Sequence, residues 1–354
     1  MTMNAKIKLI RAQMKKEKLD GLFLSSPANI SYLLDYRSRD SYLIVSAKGV
    51  FYLTDSRYTE EARSLLKGVT VIQTDAGFFK TVSALCRRLE LKCLGFEERD
   101  LNFAEYRRLR KDLPDSLGMA PVYGMVEGLR QVKTGREIKT IKKAVEIAVE
   151  AMKFIKGYLK PGRREIEVAG ELERFIRANG ADDSSFDIIV ASGPNSAFAH
   201  HITSERKLKA GEPVLIDMGA DYYGYKSDLT RVFFLGKIDT LTADIYNIVR
   251  KAQESALRAV KPGMTCAELD AVARDYIAKN GYGGFFGHGL GHGVGLEIHE
   301  DPHIGKNQDQ RLQPGMVFTV EPAIYLPGRF GIRLEDMVLV TKKGSEVLSG
   351  SLNK

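Results

Sequence analysis

The second half of the chain repeats itself, and that limits its fold more than any other feature. Lys160-Pro161-Gly162 is followed after sixteen residues by Asn179-Gly180, and Lys261-Pro262-Gly263 after sixteen by Asn280-Gly281. Both intervening stretches carry apolar residues at helical intervals, with turn-forming pairs at their ends. Further on, Leu208, Gly211, Val214 and Asp217 recur at identical spacing as Leu312, Gly315, Phe318 and Glu321. A repeat of this kind reads as two copies of one helix-then-hairpin unit. It predicts a site on the pseudo-twofold axis between the copies.

The hairpins carry carboxylates. Val214-Leu215-Ile216 leads into Asp217, Val232-Phe233-Phe234 follows Asp228, and the turn-like Asp221-Tyr222-Tyr223-Gly224 lies between. A loop centred between Tyr222 and Tyr223 sets Asp217 directly opposite Asp228, with Cβ atoms about 5 Å apart. Like charges so placed repel unless a cation lies between them. Glu321 and Glu335 flank Pro327-Gly328 in the same manner. Two such hairpins facing each other make an oxygen-rich, anionic cavity. Arg333, two residues before Glu335 and so on the same strand face, is expected to fix one of the carboxylates.

All six histidines, His200, His201, His288, His292, His299 and His303, fall in one stretch of the sequence. His288 and His292 sit among glycines at alternate positions, where backbone can approach a ligand closely. A flexible loop with capping histidines is the plain alternative, but the coincidence with two carboxylate hairpins favours a metal centre. His299-Glu300-Asp301-Pro302-His303 matches the zinc-protease pattern His-Glu-x-x-His, which requires a helix. Pro302 inside that helix would cost about 3 kcal/mol, so the match is read as accidental.

The first 120 or so residues alternate helix-like and strand-like stretches, which predicts a small α/β domain with a mixed sheet. Pro114, Gly118 and Pro121 break the pattern, and the expected division is 1–122, a linker at 123–132, and 133–354. Met1 to Leu9 is not followed by an apolar stretch long enough for a signal peptide, and no run approaches a membrane span, so the chain is expected in the cytoplasm. Cys86, Cys93 and Cys266 are odd in number and scattered, which fits neither a disulfide framework nor a thiolate metal site, and are read as buried, inert thiols. The net charge of +8 and the cluster Arg107, Arg108, Arg110 and Lys111 come without a nucleic-acid motif, and are read as a solvated helix face.

With its carboxylate hairpins and glycine-flanked histidines, the second domain resembles the pita-bread metallopeptidases. The whole chain is similar to their proline-specific branch, which has a creatinase-like amino-terminal domain. The resemblance implies five metal ligands: Asp217 and Asp228 for one ion, His292 on the other side of the pair, Glu335 bridging, and Glu321 ligating and handling the proton of the attacking water. His200, His288 and His299 match the family's active-site histidines, while His201 and His303 have no assured counterpart. Four carboxylates and an imidazole suit two divalent ions, Mn²⁺ first, with Co²⁺ or Zn²⁺ as alternatives.

The implied activity is hydrolysis of the bond between an amino-terminal residue and proline, in a homodimer, on peptides with proline second. Prolidases of this type carry an arginine shortly after His-Glu-x-Pro to grip a dipeptide's carboxylate, and His303 stands there instead. A mostly neutral histidine offers one donor where arginine offers a charged fork. The expected preference is therefore that of an Xaa-Pro aminopeptidase, with Xaa-Pro dipeptidase as the alternative. A non-catalytic peptide- or protein-binding module is the remote one.

Overall fold

The computed structural model describes residues 1–75 and 77–353. They form two compact units, Met1–Arg130 and Gln131–Lys354.

The first unit is built on a six-stranded mixed sheet. Its order is Thr70–Gln73, Gly49–Thr54, Ser41–Ser46, Gly21–Leu24, Cys93–Glu97 and Gly118–Val122. Gly21–Leu24 pairs antiparallel with Ser41–Ser46 and parallel with Cys93–Glu97, giving the mixed α/β layer expected from the alternation. Gly118–Val122, read from sequence as a break, is the edge strand of this sheet. Pro121 is tolerated there because an edge strand can lose a ladder donor. The helix Phe103–Asp112 buries only Leu109, so its arginines form the solvated face that their spacing indicated.

In the second unit the repeat is realised bond for bond. The helices Glu165–Ala178 and Cys266–Lys279 end at Gly180 and Gly281, both with positive φ. Gly162 N donates to Leu208 O at 2.9 Å, and its counterpart Gly263 N donates to Leu312 O at 2.8 Å. The isolated bridges Arg164 to Lys207 and Thr265 to Arg311 correspond in the same way. Each copy also has a longer helix before these, Gly135–Tyr158 and Thr240–Ala259. Ile141, Val145, Ala148, Met152 and Ile155 line the buried face of the first of these, in one core with Val214 and Ile216 of the strand Pro213–Met218. Burying each large apolar side chain contributes about 1.5–3 kcal/mol, so the helix face fixes that strand firmly.

The register of the first hairpin differs from the sequence reading. Its turn is Tyr223-Gly224, with φ of 50° and 82°, between the paired Tyr222 and Tyr225. A two-residue turn of this type needs positive φ at both central positions, and glycine supplies the second. The shift sets Asp217 opposite Thr230 instead of Asp228. Met218 pairs with Leu229, and Ser227 N bonds Ala220 O at 3.0 Å, so Asp228 faces Gly219. Asp217 and Asp228 therefore share a face as diagonal neighbours, roughly 7 Å apart rather than 5. Gly219 permits this closeness, since a Cβ there would lie 1.7 Å from the Ser227 carbonyl oxygen. In the second hairpin Val320 pairs with Asp336 and Ala323 with Arg333, which carries Glu321 directly opposite Glu335.

Candidate metal centre

The two hairpins meet through Thr230 and Glu335. Glu335 N donates to Thr230 O at 3.2 Å, and the Thr230 hydroxyl donates to Glu335 Oε2 at 2.7 Å. Asp228, His292 and Glu335 each turn one ligand atom into a common space, all within 4.8 Å of one another. His292 Nε2 is 3.5 Å from Asp228 Oδ2 and 3.4 Å from Glu321 Oε1. Asp217 is turned toward Arg333, whose Nη2 donates to Asp217 Oδ2 at 2.6 Å.

Burial makes this cluster electrostatically costly on its own. Asp228 is pushed well above the usual carboxylate range by desolvation, and then by the charges of Glu335, Asp217 and Glu321. Glu335 is raised for the same reasons. Burial pushes Glu321 up to about 8, against a downward pull from Arg333. Burial lowers His292 to about 4, so its imidazole is neutral and able to ligate at pH 7. Among the described residues, Asp217 Oδ1 and Asp228 Oδ1 are buried without a hydrogen-bond partner. Buried carboxylate oxygens are ordinarily satisfied, and orphaned ones beside a neutral imidazole fit a hard divalent cation.

Arg333 is engaged at each of its side-chain nitrogens. Besides Asp217, it donates from Nη1 to the Tyr325 hydroxyl at 2.6 Å and to Ala199 O at 3.1 Å, and from Nε to Thr230 Oγ1 at 3.1 Å. Tyr325 in turn lies 3.3 Å from His288 Nε2. His288 Nδ1 is 2.7 Å from Gly289 O, a carbonyl that only accepts, so Nδ1 carries the hydrogen and Nε2 accepts from Tyr325. Burial also lowers His288 to about 4. His299 packs edge-on against His292 with centroids 4.3 Å apart. Neither His299 nor His200 makes a side-chain hydrogen bond among the described residues, and both are exposed.

Several residues that hold this site were not singled out from sequence. Asp270 and Arg274, one helical turn apart, form a two-point ion pair. Arg274 donates to Phe286 O at 2.9 Å and His288 O at 2.7 Å, and Asp270 Oδ1 accepts from Leu290 N at 3.0 Å. That clamp gives the glycine-rich segment an order its own sequence lacks. Lys133 and Glu300 form a buried pair at 2.7 Å next to His299. An i,i+4 Asp-Arg pair was visible in the sequence, but the same pattern is common on solvated helices. The His-Glu-x-x-His segment is the strand Glu300–Ile304, which removes the helix a zinc-protease motif needs.

Residues 139–342 match metallopeptidase family M24, and residues 6–132 match the creatinase/prolidase N-terminal domain. The chain belongs to metallopeptidase family M24. The M24 relative in Pyrococcus horikoshii, an Xaa-Pro dipeptidase, is 35% identical over 98% of this chain and 97% of its own length. The structure of an Xaa-Pro dipeptidase from Bacillus anthracis is similar with a TM-score of 0.96 and 39% identity, covering 100% of this chain and 99% of that one. That of an X-Pro aminopeptidase from Thermotoga maritima has a TM-score of 0.86 and 35% identity, covering 95% and 97%. As an M24 enzyme the chain is a peptidase that depends on divalent metal ions. Among the described residues no helix is long and apolar enough to cross a membrane.

Proposed function

We propose that this M24 enzyme hydrolyses Xaa-Pro dipeptides, using two divalent ions, Mn²⁺ first, held by Asp217, Asp228, His292, Glu321 and Glu335. The observation that carries this reading is the meeting of Asp228, His292 and Glu335 ligand atoms, together with the orphaned buried oxygens of Asp217 and Asp228. Ions held by these residues would supply polarisation of the scissile carbonyl and a lowered pKa for a water. Glu321, whose Oε1 lies 3.4 Å from His292 Nε2, takes the proton of that water once the cations neutralise its acidic neighbours. Arg333 holds Asp217 in place and keeps Tyr325 on His288. His200 and His299, whose nitrogens are uncommitted, donate to the developing oxyanion and pass a proton to the leaving imino nitrogen.

Dipeptides are favoured because relatives similar along nearly their whole length are named Xaa-Pro dipeptidase or prolidase. His303 stands across the strand pair from His292 and is exposed, a place from which it can meet a substrate carboxylate. Aminopeptidase action on longer peptides is the second reading, supported by the Thermotoga maritima neighbour and by the weaker grip of a histidine. The test is kcat/KM for an Xaa-Pro dipeptide against the matching Xaa-Pro-Xaa tripeptide at saturating Mn²⁺. A dipeptide advantage supports the proposal, and a clear tripeptide advantage makes aminopeptidase the correct activity. The homodimer implied by the resemblance is part of this reading, and sedimentation of the purified protein checks it.

A further inference from the structure

Two adjacent histidines in this chain have opposite surroundings. His200 is exposed, whereas His201 is drawn against Glu165, with Nε2 at 2.9 Å from Oε2. Glu165 is itself 0% exposed, at the first turn of the helix Glu165–Ala178. Its two oxygens accept from Ser192 N and Oγ, both at 2.7 Å, and from Ser204 N and Oγ at 3.2 and 2.6 Å. The Asn195 amide adds contacts at 3.1 and 3.2 Å. Burial pushes this carboxyl up, but the donors Ser204, Ser192 and His201 outweigh it and hold it below its ordinary range. A carboxylate only accepts, so His201 Nε2 carries the hydrogen.

The segment around His200 is bounded by polar anchors: Ser196 Oγ accepts from Gly331 N at 2.9 Å, and Thr203 Oγ1 accepts from Val190 N at 2.9 Å and donates to Ile188 O at 2.8 Å. Between those anchors its large apolar side chains point to solvent, with Phe198 65% and Ile202 87% exposed, so packing does little to hold it. It is held by polar groups on both sides of His200: Arg333 takes Ala199 O at 3.1 Å, and Glu165 takes His201. Arg333 also holds Asp217, so one end of the tether is the metal-binding hairpin itself.

We propose that His201 and Glu165 are positioning residues that fix His200 over the reaction site. This rests on the catalytic reading of His200 given above. The imidazole of His201 takes no part in the reaction and touches no substrate. It holds the backbone on one side of His200, and Arg333 holds it on the other. Hydrogen-bonding catalysts are sensitive to such placement, because a displacement of about 1 Å can cost up to a hundredfold in rate.

A double-mutant cycle tests this, with His200→Ala, His201→Ala, both together, and His201→Gln, all loaded with Mn²⁺ and assayed on an Xaa-Pro dipeptide. His201→Ala is expected to lower kcat about tenfold, with KM and bound metal unchanged. His201→Gln, whose amide can still donate to Glu165, is expected to recover most of the loss. In the His200→Ala background, removing His201 is expected to cost nothing further. Should His201→Ala fail to fold, His201→Asn, whose amide falls short of Glu165, takes its place. Equal losses in both backgrounds, or no recovery with glutamine, overturn the positioning role while leaving His200 catalytic. A wild-type kcat for His200→Ala overturns the reading of His200, and the positioning role with it.

Discussion

Replacing Glu321 by glutamine separates the electrostatic cost of the empty cluster from its use. Glutamine keeps the shape, and its amide oxygen can still accept from Thr319 Oγ1, which lies 3.2 Å from Glu321 Oε1. In the metal-free protein Glu321 titrates at about 8 against an ordinary 4.5. Between those values the folded state holds a proton that the unfolded state has lost. Apo stability is therefore full below the ordinary value and falls as pH rises toward the folded one. At pH 7 the interval above 4.5 corresponds to about 3 kcal/mol, which glutamine removes because it needs no proton.

The relief is shared with Asp228 and Glu335, whose carboxyls are raised by the same neighbours. For a unit of this size it amounts to roughly 6–12 °C in Tm. Glu321→Gln should therefore melt higher than wild type after dialysis against EDTA, with a gap that widens from pH 5 to 8. With Mn²⁺ the order should reverse, because the wild type gains binding free energy that the variant has lost. Thermal melts followed by circular dichroism, with and without metal across this pH range, read both effects. An apo gap that is absent, or flat with pH, would refute the assigned burial cost. A variant that keeps the full Mn²⁺ shift would refute Glu321 as a ligand.

His292→Ala should lose bound metal, measured by elemental analysis of the purified protein, whereas His299→Ala should keep it and show a fall mainly in kcat. The opposite pattern would remove His292 from the ligand set. Gly219→Ala should destabilise the second unit severely, by about 3 kcal/mol or more, since its Cβ would sit 1.7 Å from the Ser227 carbonyl oxygen. A denaturation midpoint equal to wild type would show that the Asp217–Asp228 hairpin is looser than described.

Periodicity and turn chemistry made much of this legible in the sequence. The repeat was written in Pro-Gly and Asn-Gly pairs whose glycines all take positive φ, the Asn-Gly ones just past the helix ends, and both copies fold with matching hydrogen bonds. The carboxylates could be seen because an acidic residue at the end of an apolar strand such as Pro213–Met218 has no reason to be there as packing. Helix starts are legible too: Ser26 before Pro27 caps the helix Pro27–Leu34, which the alternation alone does not reveal.

What the sequence could not decide was register and partnership. One residue of difference in the turn centre moved Asp217 from Asp228 to Thr230; Gly224 is the local mark of the true turn, and strand pairing fixes the register it starts. The alternating glycines around His288 signal close backbone approach, but the order of that segment comes from Arg274 and Asp270 on a helix before it. His200 and His201 look alike as neighbours in the chain. They differ because Glu165, thirty-six residues before His201, is buried beneath one and not the other. Residue type and spacing name the groups capable of chemistry, whereas long-range contacts fix which atom of each faces which, and only folding makes those contacts.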